Sequence, residues 1–302
     1  MEAAKRFGRI EPVAAAPSAQ IELGRALYWD TRLSADGKTA CASCHSAYDW
    51  GADRRSASID ARGNPTRRNS PTVFNALRQP MLRWLGDRGS GAEQAEGSIT
   101  GSMGFRAKDE ILPLLRQSDY EAAFRAAFPG EAEPVSTRNY GRAIAAYEAT
   151  LVTPAPFDRY LGGDAAVLTA RQKAGLRLFI ERGCAGCHAG ALLGGSAWMR
   201  FGVVKDYWLA TGSARIDEGR YAITRKEEDR YVFRVPMLRN IAKTAPYFHD
   251  GSVPTLEAAV RVMASVQLGQ TLGDDEAAAI VAFLESLAGD VPANYAPPAQ
   301  RP

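Results

Sequence analysis

The sequence predicts a mostly α-helical chain that forms two domains. Its 302 residues are enough for about two domains of ordinary size. The pentapeptide Cys-x-x-Cys-His occurs once in each half, and helical periodicity precedes both copies. Prolines near residues 153–156 interrupt a helical stretch. We therefore predict domains at 1–153 and 154–302, with few and short strands.

The first half begins with a predicted helix in which Leu23 and Leu27 share one face and Ser18 can cap the amino end. A polar loop then leads to Cys41-Ala42-Ser43-Cys44-His45. This order of elements predicts a helix, a loop and then the first motif.

The second half repeats this plan. Thr169 can cap a helix with Phe179 and Ile180 on one face, and Gly183 ends it just before Cys184-Ala185-Gly186-Cys187-His188. The sequence therefore predicts helix, loop and motif twice.

The two motifs contain all four cysteines and two of the three histidines. Two thiols at this spacing can each add to a vinyl group of one haem, and the adjoining histidine then faces the iron. Half of a zinc site or a thiol–disulfide redox pair are the alternatives, but neither explains the histidine twice. The sequence predicts two covalently bound haem c groups, attached at Cys41, Cys44, Cys184 and Cys187 and ligated by His45 and His188.

The helices before the motifs support a duplicated one-haem unit. Gly24-Arg25-Ala26-Leu27-Tyr28 stands against Gly175-Leu176-Arg177-Leu178-Phe179. The fold class that follows is two cytochrome c-like domains, each wrapped around one haem.

Composition and charge indicate where the protein acts and which partners are excluded. The chain is 46% hydrophobic and 24% charged, and no apolar run approaches the ~20 residues that a membrane span requires. The net charge of +3 is too small to indicate nucleic-acid binding. Haem is attached to such motifs outside the bacterial cytoplasm, so we expect a processed periplasmic protein, although the first residues lack the apolar core of a secretory signal.

The sixth iron ligands decide between electron transfer and small-molecule binding. With His45 and His188 used, His249 is the remaining histidine. Met263 is the best-placed methionine, on a predicted helix that follows Thr255. From spacing alone, ligation by Met263 and packing in the core are equally consistent with the sequence.

Three further segments carry a resemblance to a known family. They are 68–75 (RNSPTVFN), 146–153 (AYEATLVT) and 238–249 (LRNIAKTAPYFH). With the two motifs, they resemble the bacterial dihaem cytochrome c peroxidases and the MauG-like enzymes, which oxidise side chains of partner proteins. The resemblance covers nearly the whole chain.

The resemblance assigns roles to several residues. It implies that Met263 is the axial ligand of the second haem, which then relays electrons, and that His249 forms hydrogen bonds near it. Trp84 matches a tryptophan between the haems, with aromatic packing as the alternative. A calcium ion between the domains is implied by matches to its ligands at Asn69, Thr244 and Pro246.

The chain also departs from the family pattern. Ala61 stands where peroxidases that need reductive activation hold a histidine over the first haem, so an iron already open in the oxidised protein is implied. Gln94 matches the distal glutamine, but Gly104 replaces the expected acid. Glu93, Glu96 or water are the alternatives as proton carrier.

The implied activity is reduction of hydrogen peroxide by electrons from a small cytochrome c or copper protein, with Gln94 and Trp84 as catalytic residues. A MauG-like oxidase acting on a partner protein is one alternative. A dihaem electron carrier, with Met103 closing the first iron, is another. The oligomeric state stays open, with a homodimer among the alternatives.

Overall fold

The computed structural model of the protein describes residues 6–10, 16–117 and 120–299. These residues form mostly short helices, together with a two-stranded antiparallel sheet of β1 (Trp198–Arg200) and β2 (Val232–Arg234). The prediction of a mostly helical chain with few and short strands is confirmed. In the described ranges, no helix is both long and apolar enough to cross a membrane.

Twelve α-helices are described, six in each half of the chain. Those of the first half are α1 (Ser18–Trp29), α2 (Cys41–Cys44), α3 (Gly91–Ser98), α4 (Leu112–Arg116), α5 (Tyr120–Ala127) and α6 (Thr137–Glu148). Those of the second half are α7 (Pro156–Leu161), α8 (Ala170–Glu181), α9 (Tyr207–Thr211), α10 (Tyr221–Thr224), α11 (Leu256–Leu268) and α12 (Asp274–Glu285).

One helix crossing organises each half, and a glycine makes it possible. Helix α1 packs against α6, and α8 packs against α12. A Cβ atom on Gly24 would lie 1.9 Å from the Ala143 carbonyl oxygen, and one on Gly175 would lie 1.8 Å from that of Ala279. Because any side chain there would overlap the partner backbone, the two glycines aligned in the sequence have the same packing role.

The two helix pairs lie in separate hydrophobic cores. A residue near each end of the chain packs in the core of the opposite half. Phe7 is packed in the core of the second half, while Tyr295 is packed in that of the first. The Tyr295 hydroxyl group also donates to the carbonyl of His45. The division at residues 153 and 154 stays a prediction, and each core includes residues from beyond it.

One of the two predicted helix caps is present. The Thr169 hydroxyl oxygen accepts from the backbone N–H of Gln172 at 3.2 Å, as predicted, and the Thr255 hydroxyl oxygen accepts from that of Ala258 at the same distance. The prediction that Ser18 caps α1 is wrong. Ser18 is already in the helix, because Pro17 is the residue that precedes the first turn and its carbonyl accepts the first helical hydrogen bond, from Ile21 N–H at 3.2 Å.

Candidate functional site

The two Cys-x-x-Cys-His motifs have closely similar local structures. The backbone N–H of His45 donates to the Cys41 carbonyl at 3.1 Å, and that of His188 donates to the Cys184 carbonyl at 3.0 Å. This tight turn places both thiols and the imidazole of a motif within one short segment. All four thiols are free of disulfide bonds.

Both motif histidines are oriented through the same ring nitrogen. Nδ1 of His45 lies 2.9 Å from the Gly51 carbonyl oxygen, and Nδ1 of His188 lies 3.0 Å from that of Leu193. Such a bond fixes the ring and leaves Nε2 for a metal. Burial lowers the pKa of both imidazoles, which favours the neutral form that binds iron. These residues therefore fit two haem c groups.

A cavity of about 200 Å³ adjoins the second motif. Its lining is largely apolar and includes Phe179, Leu256 and Val260, which suits a porphyrin ring. The structure brings together on this cavity the predicted residues of the second haem site, namely Cys184, Cys187, His188, His249, Met263 and Trp84.

The rings of Trp84 and His249 meet edge to face, and both residues line this cavity. Their ring centroids are 6.3 Å apart, and the Trp84 indole N–H donates to the Asn69 carbonyl at 2.9 Å. Nε2 of His249 is buried and has no hydrogen-bond partner among the residues that the structure describes. A buried ring nitrogen of this kind is expected to meet a polar group of the cofactor.

A repeated segment that the sequence reasoning missed explains why these two rings meet. Residues 69–88 and 234–253 have the same backbone course, and we call them the paired segments. In each, an asparagine with positive φ, Asn75 at 59° or Asn240 at 61°, precedes a 3₁₀ turn. Further on, Arg83 at 66° and Phe248 at 71° precede Trp84 and His249. Trp84 and His249 therefore hold equivalent positions.

The paired segments contact each other reciprocally. Asn69 N–H donates to the His249 carbonyl, and Arg234 N–H donates to the Trp84 carbonyl, both at 2.8 Å. Because Asn69 and Arg234 are themselves equivalent positions, the contact has approximate two-fold symmetry. The two segments share the pattern Pro-x-x-x-Asn at 71–75 and 236–240, but the same pattern also occurs at 65–69, so it is a weak sequence signal.

Thr153 joins the paired segments. Its hydroxyl oxygen accepts from the Asn75 side-chain amide at 2.7 Å and from the Asn240 side-chain amide at 2.9 Å. Thr153 is fully buried, as is Asn240. The junction between the halves is thus a closed polar network.

In the first half, Ala61 and Gly104, which both depart from the family pattern, lie next to each other. A Cβ atom on Gly104 would lie 3.0 Å from that of Ala61, and Gly104 has a φ of +83°. Ala61 N–H donates to the Ser102 carbonyl at 2.9 Å. A larger residue at Gly104 would be strained and crowded, so this turn requires glycine.

The other first-half candidates lie on or near α3. Gln94 is half-buried on α3, and Met103 is packed in the core at 1% exposure. The Glu93 carboxylate accepts from Gly89 N–H at 2.9 Å, and the Glu96 carboxylate accepts from the Thr137 hydroxyl group at 2.8 Å. Both carboxylates already have hydrogen-bond partners.

The three predicted calcium ligands share one small cavity. Asn69, Thr244 and Pro246 line a space of about 60 Å³ that Trp84 also borders. The Asn69 side-chain amide nitrogen donates to the Arg55 carbonyl at 2.8 Å, which leaves the amide oxygen available. An amide oxygen and backbone carbonyls suit a hard cation.

Two helical halves, each with an oriented histidine beside a pair of free thiols, define a dihaem c-type cytochrome. The profile of the di-haem cytochrome c peroxidase family matches residues 18–166, and a RoxA-like, cytochrome c-like profile matches 232–266. The chain belongs to the dihaem cytochrome c peroxidase family.

Individual relatives agree with this assignment. The chain is 45% identical to cytochrome c551 peroxidase of Pseudomonas aeruginosa, over 90% of this chain and 80% of the relative. It is 40% identical to cytochrome c peroxidase Ccp of Escherichia coli, over 93% of this chain and 62% of the relative. A crystal structure of a MauG-like protein associated with microbial copper homeostasis superposes with a TM-score of 0.82, at 27% identity, over 97% and 98% of the two chains.

Proposed function

We propose that this chain reduces hydrogen peroxide to water in the periplasm, with electrons from a small cytochrome c or copper protein. The observation that carries the proposal is the difference between the halves. Met263 shares a cavity with His188 in the second half, whereas Ala61 stands in the first half where a closing histidine would be. One iron is then closed for electron transfer and the other is open for substrate.

Each haem, when bound, supplies a redox-active iron. His45 and His188 would hold the irons through Nε2, and Met263 would be the second ligand of the electron-transfer haem. Gln94 orients the peroxide by hydrogen bonding, and Trp84 lies on the path between the halves. Reduction of peroxide to two waters consumes two electrons and two protons.

Water is the proposed source of the protons near Gln94. Glu93 and Glu96 are tied to Gly89 and Thr137, and Gly104 carries no acid. General acid–base catalysis by a placed side chain contributes roughly 100-fold or more. We therefore expect a slower peroxidase than one with a placed carboxylate.

A calcium ion is proposed between the halves, held by the Asn69 amide oxygen and the Thr244 and Pro246 carbonyls, with water completing roughly six positions or more. Their shared cavity supports this set of ligands. Removal of calcium by a chelator should lower the thermal unfolding midpoint, and added calcium should restore it. An unchanged midpoint and no bound calcium would refute the site.

The peroxidase proposal is tested by steady-state turnover with peroxide and reduced cytochrome c. Gln94→Ala should lower kcat/KM by roughly tenfold or more, because the substrate loses an oriented hydrogen bond. Gln117→Ala, at an exposed position of the same half, is the matched control. Wild-type turnover no faster than that of free haem would refute the proposal.

A MauG-like oxidase is the second candidate, favoured by the superposition on a MauG-like protein. In that case a partner protein would be oxidised only when peroxide is present. Met263 counts against it, since MauG itself has a tyrosine as the matching ligand. A dihaem electron carrier would instead show a protein ligand, such as Met103, on the first iron and no reaction with peroxide.

A further inference from the structure

Arg234 is a buried cation whose protein partners are all neutral. Its side chain lies on β2 in a residue that is only 3% exposed. Nε donates to the Arg83 carbonyl at 2.8 Å, and one terminal nitrogen donates to the Gln79 side-chain oxygen. Neither acceptor balances the positive charge.

Buried Arg239 and half-buried Arg68 are, by contrast, paired with carboxylates. The Arg239 guanidinium contacts Asp158 at 2.7 Å, and Arg68 contacts Asp217 at 2.8 Å. In the described part of the chain, no carboxylate lies within ion-pair distance of Arg234. Burial alone lowers the pKa of Arg234, to about 10. A buried charge with no counter-ion costs several kcal/mol, so an anion from outside the polypeptide is expected.

The position of Arg234 indicates which anion fits. Arg234 lines the cavity of the second haem site together with His188 and Met263, and it also borders the small cavity of Asn69, Thr244 and Pro246. Haem c carries two propionate carboxylates, the acidic groups of a ligand that is otherwise apolar. We infer that Arg234 is the counter-ion of a propionate of the second haem and raises the reduction potential of that haem.

The paired segments differ at this position. The equivalent of Arg234 is Asn69, so the second half has a fixed positive charge where the first half has a neutral amide. A positive charge near iron favours the reduced state, which carries less positive charge.

The inference rests on the second haem occupying this cavity, and a redox titration of the holoprotein tests it. Arg234→Gln should lower the potential of the second haem so that its reduced-to-oxidised ratio changes about tenfold at a fixed potential, or 59 mV for one electron. Arg234→Lys keeps the charge and should restore most of the wild-type value. Arg225→Gln is the matched control, because Arg225 is exposed and does not line this cavity.

An unchanged potential in Arg234→Gln would overturn the inference. An equal fall in Arg234→Gln and Arg234→Lys would also overturn it, because the role would then be packing alone. Should Arg234→Gln not retain the second haem, the resonance Raman propionate band is compared between wild type and Arg234→Lys. A shifted band supports the contact, and an identical band refutes it.

These measurements use no peroxide, so they stand apart from the test of peroxidase activity. A haem count on the purified protein separates loss of the cofactor from loss of the counter-ion. Two haems per chain with an unaltered potential in the glutamine variant would leave the peroxidase proposal intact and refute the role of Arg234.

Discussion

Met263 is the residue on which the proposed difference between the two irons depends. Met263→His should lower the potential of the second haem and abolish the near-infrared band of methionine-ligated iron, because thioether ligation favours the ferrous state. Spectroelectrochemistry measures both effects. Met199→His is the control, since Met199 lines the same cavity but is 39% exposed. Retention of the band in Met263→His would contradict the ligand assignment.

Glu148 makes stability depend on pH. Burial raises the pKa of this carboxyl group to about 8, from 4.5 in an unfolded chain. Between these values the folded protein holds a proton that the unfolded chain releases. The stabilising contribution of Glu148 is therefore complete below pH 4.5 and should fall by up to about 1.4 kcal/mol per pH unit from 4.5 to 8.

Glu148→Gln removes this titration and should flatten the dependence. Urea unfolding of both proteins at several pH values provides the measurement. Parallel curves for wild type and variant would show that Glu148 is not the group responsible.

At the scale of elements, the two helix crossings should tolerate no side chain at their glycines. Gly24→Ala and Gly175→Ala each force a methyl group against a backbone carbonyl and should cost at least about 3 kcal/mol of unfolding free energy. Gly89→Ala is the control, because the nearest atom to its Cβ would be 3.8 Å away. Wild-type stability of either helix variant would disprove the close approach.

The loop that carries Ala61 is held by Arg62. This guanidinium donates to the Thr100 carbonyl at 3.0 Å and to the Phe105 carbonyl at 2.9 Å. Arg62→Gln should lose about 1.4 kcal/mol of local stability and raise amide exchange in residues 58–66 about tenfold.

Hydrogen exchange measured by mass spectrometry checks this expectation. Arg54→Gln serves as the comparison, because Arg54 is an exposed partner of Asp49. Equal exchange in wild type and Arg62→Gln would mean that the loop is held by its own turns.

Helices with local signals were predictable from the sequence, and contacts between distant segments were not. Thr169 and Thr255 mark helix starts because a cap is a bond across three residues. Ser18 was misassigned because Pro17 before it supplies the helix start instead. The haem motifs were predictable because each one consists of five consecutive residues. The cavity shared by Trp84 and Met263 was not, because it depends on the tertiary fold.

At the scale of the whole molecule, Thr153 couples the halves. Thr153→Val leaves two buried side-chain amides without an acceptor, at about 1–3 kcal/mol each. Thr153→Ser keeps the hydroxyl group and should lose far less. The free energy of unfolding measured for both variants distinguishes them, and equal losses would assign the effect to the methyl group.

The duplicated order of helix, loop and motif was predictable, because the sequences around Gly24 and Gly175 and the two motifs are similar. The paired segments were not, because 69–88 and 234–253 share backbone conformation with few identical residues. The two segments share positive φ values at Arg83 and Phe248. Arginine and phenylalanine rarely adopt positive φ, so the sequence does not predict this conformation.

The reciprocal bonds between Asn69 and His249 and between Arg234 and Trp84 also resemble an interface between subunits. A contact in which each side offers the same patch is the interface of a two-fold homodimer. Within one polypeptide, the two segments thus contact each other as two copies of one subunit would across a two-fold interface.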